Sequence, residues 1–191
     1  MYSLRGALVG AGRVSANHLQ AWMRIPQAEI VAVADPDLAK ARERAQAFDI
    51  DAAHVYAGLA ELLDAEARLD FVDIATRPQT HLEVVGLAAA HGLHVNCQKP
   101  FALSLADARE MIRACREAGV VLNVNENWRW RSWYREIRQM IVEGRIGRPA
   151  YARFFSHGDW FVHRRQHPVP PDHPHRRVKR GVVFEMGIHH R

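Results

Sequence analysis

Short apolar runs alternate with helix-like stretches through the first 122 residues, and the alternation supplies six strands. Ala7-Leu8-Val9 runs into Gly10, which predicts a strand ending in a tight turn. Residues 15–25 carry a helical pattern closed by Pro26, and Ile30 to Ala34 is a second apolar run ending at Asp35-Pro36. An Ala/Arg/Glu-rich helix follows over 37–48, with Asp37 in its first turn. His54 to Tyr56 predicts a short strand, Leu59 to Leu63 a short helix and Phe71 to Ala75 a further strand. A helix over 79–90 stops near Gly92, and His94 to Cys97 is the fifth strand. Ser104 N-caps a helix that runs to Ala118 and ends at Gly119, before a sixth strand over 120–124. Strands of continuous rather than alternating apolar residues imply burial on both faces. Strand-helix alternation implies α/β architecture, a doubly wound parallel sheet with right-handed crossovers.

The pattern changes after residue 122. A helix is expected over 133–143, ending at Gly144, and a strand over 150–156. Residues 163–180 hold four histidines, four prolines and many arginines. His163, His167, His173 and His175 read as parts of an exposed Pro-rich loop rather than metal ligands, so no metal site is expected.

Charge follows the same break. Residues 1–122 hold 12 Lys/Arg and 15 Asp/Glu, net −3, whereas residues 123–191 hold 14 and 6, net +8. A basic half of this size raises nucleic acid as a partner. No helix-turn-helix, zinc-finger or ribonucleoprotein signature accompanies the charge, and the expectation is against it. Across all 191 residues, 48% hydrophobic and 25% charged exclude a disordered or collagen-like chain. Two cysteines, Cys97 and Cys115, make neither a disulfide framework nor a Cys-based zinc site, which suits a reducing cytoplasm. The first nine residues do not read as a leader, and no run approaches the ~18 apolar residues of a membrane span.

Candidate chemistry begins at the first turn. Gly10-Ala11-Gly12-Arg13-Val14-Ser15 lies between a strand and a helix, the context of a dinucleotide fingerprint. Gly10 makes the turn, Gly12 clears space for a pyrophosphate, and the helix N-terminus offers N–H groups. Ser15 replaces the third glycine. Asp35, ending the second strand, is placed to accept from the ribose hydroxyls and repels a 2′-phosphate, so NAD is favoured over NADP. Thr76-Arg77-Pro78-Gln79-Thr80-His81 and Cys97-Gln98-Lys99-Pro100 follow the fourth and fifth strands. Both therefore fall on the edge where open parallel sheets bind ligands.

Gly10-Ala11-Gly12-Arg13 with Asn17-His18, Asp35, Ala75-Thr76-x-Pro78-x-x-His81, Gln98-Lys99-Pro100 and Gly144-x-Ile146-Gly147 resembles the glucose-fructose oxidoreductase / inositol dehydrogenase (Gfo/Idh/MocA) family. The resemblance implies a Rossmann domain over 1–122 and the start of an α+β substrate and oligomerisation domain over 123–191. That second domain is expected to be incomplete, since 69 residues fall short of the roughly 100–200 of an ordinary domain. It implies hydride transfer between a nicotinamide cofactor and a hydroxyl or carbonyl carbon of a sugar, polyol or cyclitol. In the full-length family homo-oligomers form through the large sheet of the second domain, most of which is expected to be missing here. Gly10, Gly12, Arg13, Val14, Asp35, Thr76, Pro78, His81, Gln98 and Lys99 are the expected cofactor contacts. Lys99 is expected near both substrate and nicotinamide, after a cis Lys99–Pro100 bond. Gln98 stands where the family motif has Glu, and a neutral amide does not favour the ammonium form of Lys99 as a carboxylate would. Residues 181–190 resemble the family's Gly-Gly-x-x-x-Asp-x-Gly-x-His, with His189 as general base and Glu185 at the aspartate position. At i and i+4 the two share a helix face. Asn127 and Arg129 stand where an Asn and an Arg border the family's substrate cleft, and Trp160 is expected either to stack on a sugar face or to pack in the core. The competing reading is a nucleotide-binding fragment without catalysis.

Overall fold

The structure, a computed structural model, describes residues 3–153. The chain divides into two compact units, Met1–Asn125 and Glu126–Arg191.

The first unit contains six strands: β1 Leu4–Val9, β2 Ala28–Ala34, β3 Val55–Tyr56, β4 Phe71–Ile74, β5 His94–Gln98 and β6 Leu122–Asn125. All pairs are parallel, in the order β3-β2-β1-β4-β5-β6. This is the doubly wound Rossmann arrangement, and the strand order reverses between β1 and β4. The helices are α1 Ser15–Trp22, α2 Leu38–Gln46, α3 Leu59–Ala65, α4 Pro78–Ala90 and α5 Leu105–Glu117. Every expected element of this unit is present. Helix α1 ends earlier than Pro26 suggests, because Arg24 and Ile25 bond back three residues, to Ala21 and Trp22, in a tighter turn. Asp37 caps α2 from outside, accepting from the Lys40 N–H at 3.3 Å. Ser104 caps α5, accepting from the Asp107 N–H at 3.0 Å.

Apolar side chains fill both faces of the sheet around β1 and β2. One cluster gathers Leu62, Val72, Ile74, Val85, Val95 and Met111 beneath α3, α4 and α5. The other gathers Leu8, Leu19, Val33, Ala41 and Phe71 beneath α1 and α2. Burying each Leu, Ile or Met is worth about 1.5–3 kcal/mol.

The expectation of strands apolar on both faces fails at β5 and β6. Val95, Cys97, Leu122 and Val124 alternate with Asn96, Gln98, Asn123 and Asn125, a period of two. The register sets Asp73 beside Asn96, Asn96 beside Asn123 and Gln98 beside Asn125. Among the described residues, only the α4/α5 side of these strands meets an apolar layer; the other side carries a polar ladder.

In the second unit, a 3₁₀ turn Trp128–Trp130 precedes α6, Ser132–Val142. Trp133, Ile137 and Ile141 recur at helical spacing along α6, and Gly144 follows with φ +70°. Residues 150–153 do not form the start of the strand expected over 150–156, and 154–156 lie outside the described residues.

Candidate functional site

The carboxyl ends of β1, β2 and β4 frame a cleft of about 280 Å³, lined among others by Gly10, Asp35, Gly58 and Thr76. Three sequence-predicted residues from three strand ends therefore share one cavity.

Gly10 has φ +102°, and a Cβ placed there would lie 2.9 Å from the Ala75 carbonyl carbon and the Thr76 nitrogen. Only glycine lets β1 turn this close to the β4 loop. At Gly12 an added Cβ would meet nothing within 4 Å. Its missing side chain opens space on the outer side of the turn, where Gly12 itself is exposed. The Asp35 carboxylate accepts from the Ala11 N–H at 2.7 Å and the Asp37 N–H at 2.8 Å. It pins the glycine turn to the end of β2 while keeping further lone pairs for a ligand. Arg13 is exposed, and Val14 sits at the N-cap of α1 without a side-chain capping bond. Arg44, which the sequence pattern did not single out, approaches the Gly12 carbonyl at 3.5 Å from α2. Its Nε is buried without a hydrogen-bond partner among the described residues. Only the packing of α2 beside the turn shows this cation.

An open glycine backbone, a helix start and a carboxylate at the next strand end fit the pyrophosphate and ribose of a dinucleotide.

On β4 and α4, Pro78 opens the helix and the Thr80 hydroxyl donates to Thr76 Oγ1 at 2.8 Å. His81 is fully buried. Its Nδ1 lies 2.9 Å from the Phe101 carbonyl and its Nε2 3.3 Å from that of Thr76. The ring thus joins the loops after β4 and β5. Burial lowers its pKa, against the pull of the two carbonyls.

On β5, burial pushes the Cys97 thiol up to about 12, making it a core group rather than a nucleophile. Cys97 and Cys115 are both free and buried. The Lys99–Pro100 bond is cis. The Lys99 N–H donates to Gln98 Oε1 at 2.6 Å, and the Gln98 Nε2 lies 2.8 Å from His18 Nε2. His18 Nδ1 lies 2.9 and 3.0 Å from the two Asp73 oxygens. Asp73 also accepts from Trp22 Nε1 at 2.6 Å and Asn96 Nδ2 at 2.8 Å. His18 and Asp73 are buried within the polar ladder. Asp73 escaped sequence reasoning because it sits in an otherwise apolar strand. Its only signal was a charged residue at a position buried on both sides.

In the second unit, Asn127 and Arg129 are exposed. The Arg129 guanidinium lies 5.4 Å from the Trp130 ring centre. Arg131 stands 4.3 Å from the Trp128 ring and 5.1 Å from that of Trp133. Trp160, Glu185 and His189 lie outside the described residues, as do the four histidines of 163–180. Among the described residues no cluster of three or more His, Cys, Asp or Glu is arranged to hold a metal ion. No helix among them is long and apolar enough to cross a membrane.

Comparison with known proteins adds the following. The GFO_IDH_MocA profile, described as an oxidoreductase family with an NAD-binding Rossmann fold, matches residues 4–126. The chain is 43% identical over 185 residues to a D-apiose dehydrogenase of Paraburkholderia graminis, covering 97% of this chain and 47% of that protein. It is 35% identical over 189 residues to a D-apiose dehydrogenase of Rhizobium rhizogenes, covering 99% and 52%. The chain thus spans about half the length of the curated relatives it matches. An Agrobacterium radiobacter oxidoreductase, solved in complex with NAD+, L-tartaric acid and magnesium, superposes with a TM-score of 0.73 at 39% identity. That match covers 77% of this chain and 42% of the other.

Proposed function

Because the chain belongs to the Gfo/Idh/MocA oxidoreductase family, we propose that it binds NAD at the β1–β2–β4 cleft. We propose further that it takes part in hydride transfer to or from a hydroxyl-bearing carbon of a sugar, polyol or cyclitol. The observation that carries this reading is the joint geometry of Gly10, Gly12 and Asp35. The backbone is open where a pyrophosphate would lie, and a carboxylate is fixed 2.7 Å from the Ala11 N–H, beside the ribose position.

The bound nicotinamide would supply the hydride acceptor or donor. The chain's residues do the rest. Gly12 and the start of α1 take the phosphates, and Asp35 accepts from the ribose and disfavours a 2′-phosphate. Thr76, Pro78 and His81 shape the loop after β4, and Arg13 and Val14 border the turn. Lys99 holds the substrate oxygen. His189 takes the hydroxyl proton, with Glu185, four positions earlier in the sequence, orienting the imidazole. Asn127, Arg129 and Trp160 border the substrate. The two free thiols fit a cytoplasmic setting.

The test is direct. NAD and NADP are titrated against the chain, and reduced nicotinamide is then followed by absorbance with a panel of sugars and cyclitols. D-apiose, the sugar in the relatives' names, comes first. Saturable NAD binding with sugar-dependent reduction is expected. No binding of either cofactor defeats the proposal. A second reading, nucleotide binding without turnover, draws support from the cleft's belonging wholly to the Met1–Asn125 unit. Binding with no activity on any sugar would select it.

A further inference from the structure

Gln98 ties a buried imidazole to the backbone of Lys99, and the hydrogen-bond inventory leaves one arrangement. The Lys99 N–H is a donor, so the Gln98 atom 2.6 Å from it must be the carbonyl oxygen. The flipped amide would face N–H against N–H at that distance. The Gln98 amide nitrogen therefore faces His18 Nε2 at 2.8 Å as a donor, and this ring nitrogen must accept. The hydrogen then sits on Nδ1, which meets both oxygens of Asp73 at 2.9 and 3.0 Å. Asn125 Nδ2, 3.3 Å from the same Nε2, offers a second donor and agrees with this assignment. Trp22 and Asn96 occupy the remaining acceptor sites of Asp73.

We infer that His18 is a positioning residue for Lys99. It is a neutral imidazole with its hydrogen on Nδ1, held by Asp73, and it fixes the Gln98 amide that grips the Lys99 N–H. The inference rests on the reading of Lys99 as the substrate-facing lysine, and it explains what an amide does at position 98. A glutamine can accept from Lys99 with one end and donate to His18 with the other. A glutamate there could only accept at both ends, and would hold His18 with hydrogens on both ring nitrogens. The relay crosses 80 residues of sequence between Gln98 and His18, and 55 between His18 and Asp73.

The experiment is NMR on the full ¹⁵N-labelled chain near neutral pH. Long-range correlations of the His18 ring report which nitrogen carries hydrogen, and hydrogen exchange reports the Lys99 amide. In the unaltered chain, His18 should show a bare Nε2 and a protonated Nδ1. Gln98→Glu, nearly identical in shape, should protonate both. Gln98→Met, which keeps the volume and removes the acceptor, should speed Lys99 exchange by roughly tenfold. His18→Leu should speed it in the same direction. Amides of β1 and β2 should stay unchanged in every variant, which separates positioning from general loosening of the sheet. A hydrogen on His18 Nε2 in the unaltered chain overturns the inference. So does a Lys99 amide indifferent to Gln98→Met. Titrating NAD into the same samples keeps the two readings apart, since failure to bind would strike the proposed function and leave the relay intact.

Discussion

At residue scale, the cleft depends on side chains whose absence or charge is specific. Gly10→Ala forces a Cβ to within 2.9 Å of the β4 loop at φ +102°. The expected cost is about 1–3 kcal/mol of stability, read from urea unfolding, with weaker NAD binding. An unchanged unfolding midpoint would mean that the turn relaxes freely. Asp35 is the proposed source of the cofactor preference. NAD should bind roughly tenfold or more tightly than NADP, as expected for hydrogen bonds to a charged group set against repulsion of a phosphate. Asp35→Asn retains one carbonyl oxygen for the Ala11 N–H and removes the charge. It should narrow the preference; equal preference in both proteins would remove Asp35 from cofactor selection. Gln98 shows how far residue-level reading reaches. Its sequence signal was the loss of a carboxylate beside Lys99, whereas its two hydrogen bonds run to the Lys99 backbone and to a ring 80 positions away.

At element scale, side-chain caps mark the starts of α2 and α5. Ser104→Ala removes the acceptor for the Asp107 N–H and should cost about 1 kcal/mol, measured by chemical unfolding. No loss would show that Leu105–Glu117 is held by packing of Met111 and Cys115 alone. The strands divide into two kinds. β1, β2 and β4 carry apolar residues toward both faces, because helices cover both sides of that part of the sheet. β5 and β6 alternate, and their Asn96–Asn123 bond of 2.7 Å continues the ladder from Asp73. His94-Val95-Asn96-Cys97-Gln98 already displayed that period of two. Five strand residues with two apolar positions are few enough to be absorbed into a general rule about parallel sheets.

At the scale of the whole molecule, acid tests the junction of the two strand-end loops. Burial holds the His81 pKa below its ordinary 6.5 in the folded chain. The unfolded chain therefore binds more protons between the lowered value and 6.5, and stability rises with pH across that window. His81's contribution is fully present above about 6.5 and is lost as the pH falls toward the lowered value. The urea midpoint should drop between pH 7 and pH 5.5, and His81→Gln should shrink that drop. An equal drop in both proteins would assign the acid sensitivity to other groups. The charge split, −3 over residues 1–122 and +8 over 123–191, coincides closely with the division into compact units after Asn125.

The sequence alone was sufficient for the order of elements, the parallel doubly wound class, the glycine turn and Asp35. Each is encoded locally, by a run of apolar residues, a breaker or a cap within a few positions. The pattern of motifs along the chain was also enough to point to the family. Tertiary structure alone decided which of these residues share a cavity, that Arg44 approaches the glycine turn, and that His81 spans two loops. It also brought Asp73, His18 and Gln98 together. Those relations depend on strand order and register, which set side chains from β4, β5 and α1 against one another across 55 to 80 residues. Hydrogen-bond partners at such separations leave no local periodicity, so only the folded sheet reveals them.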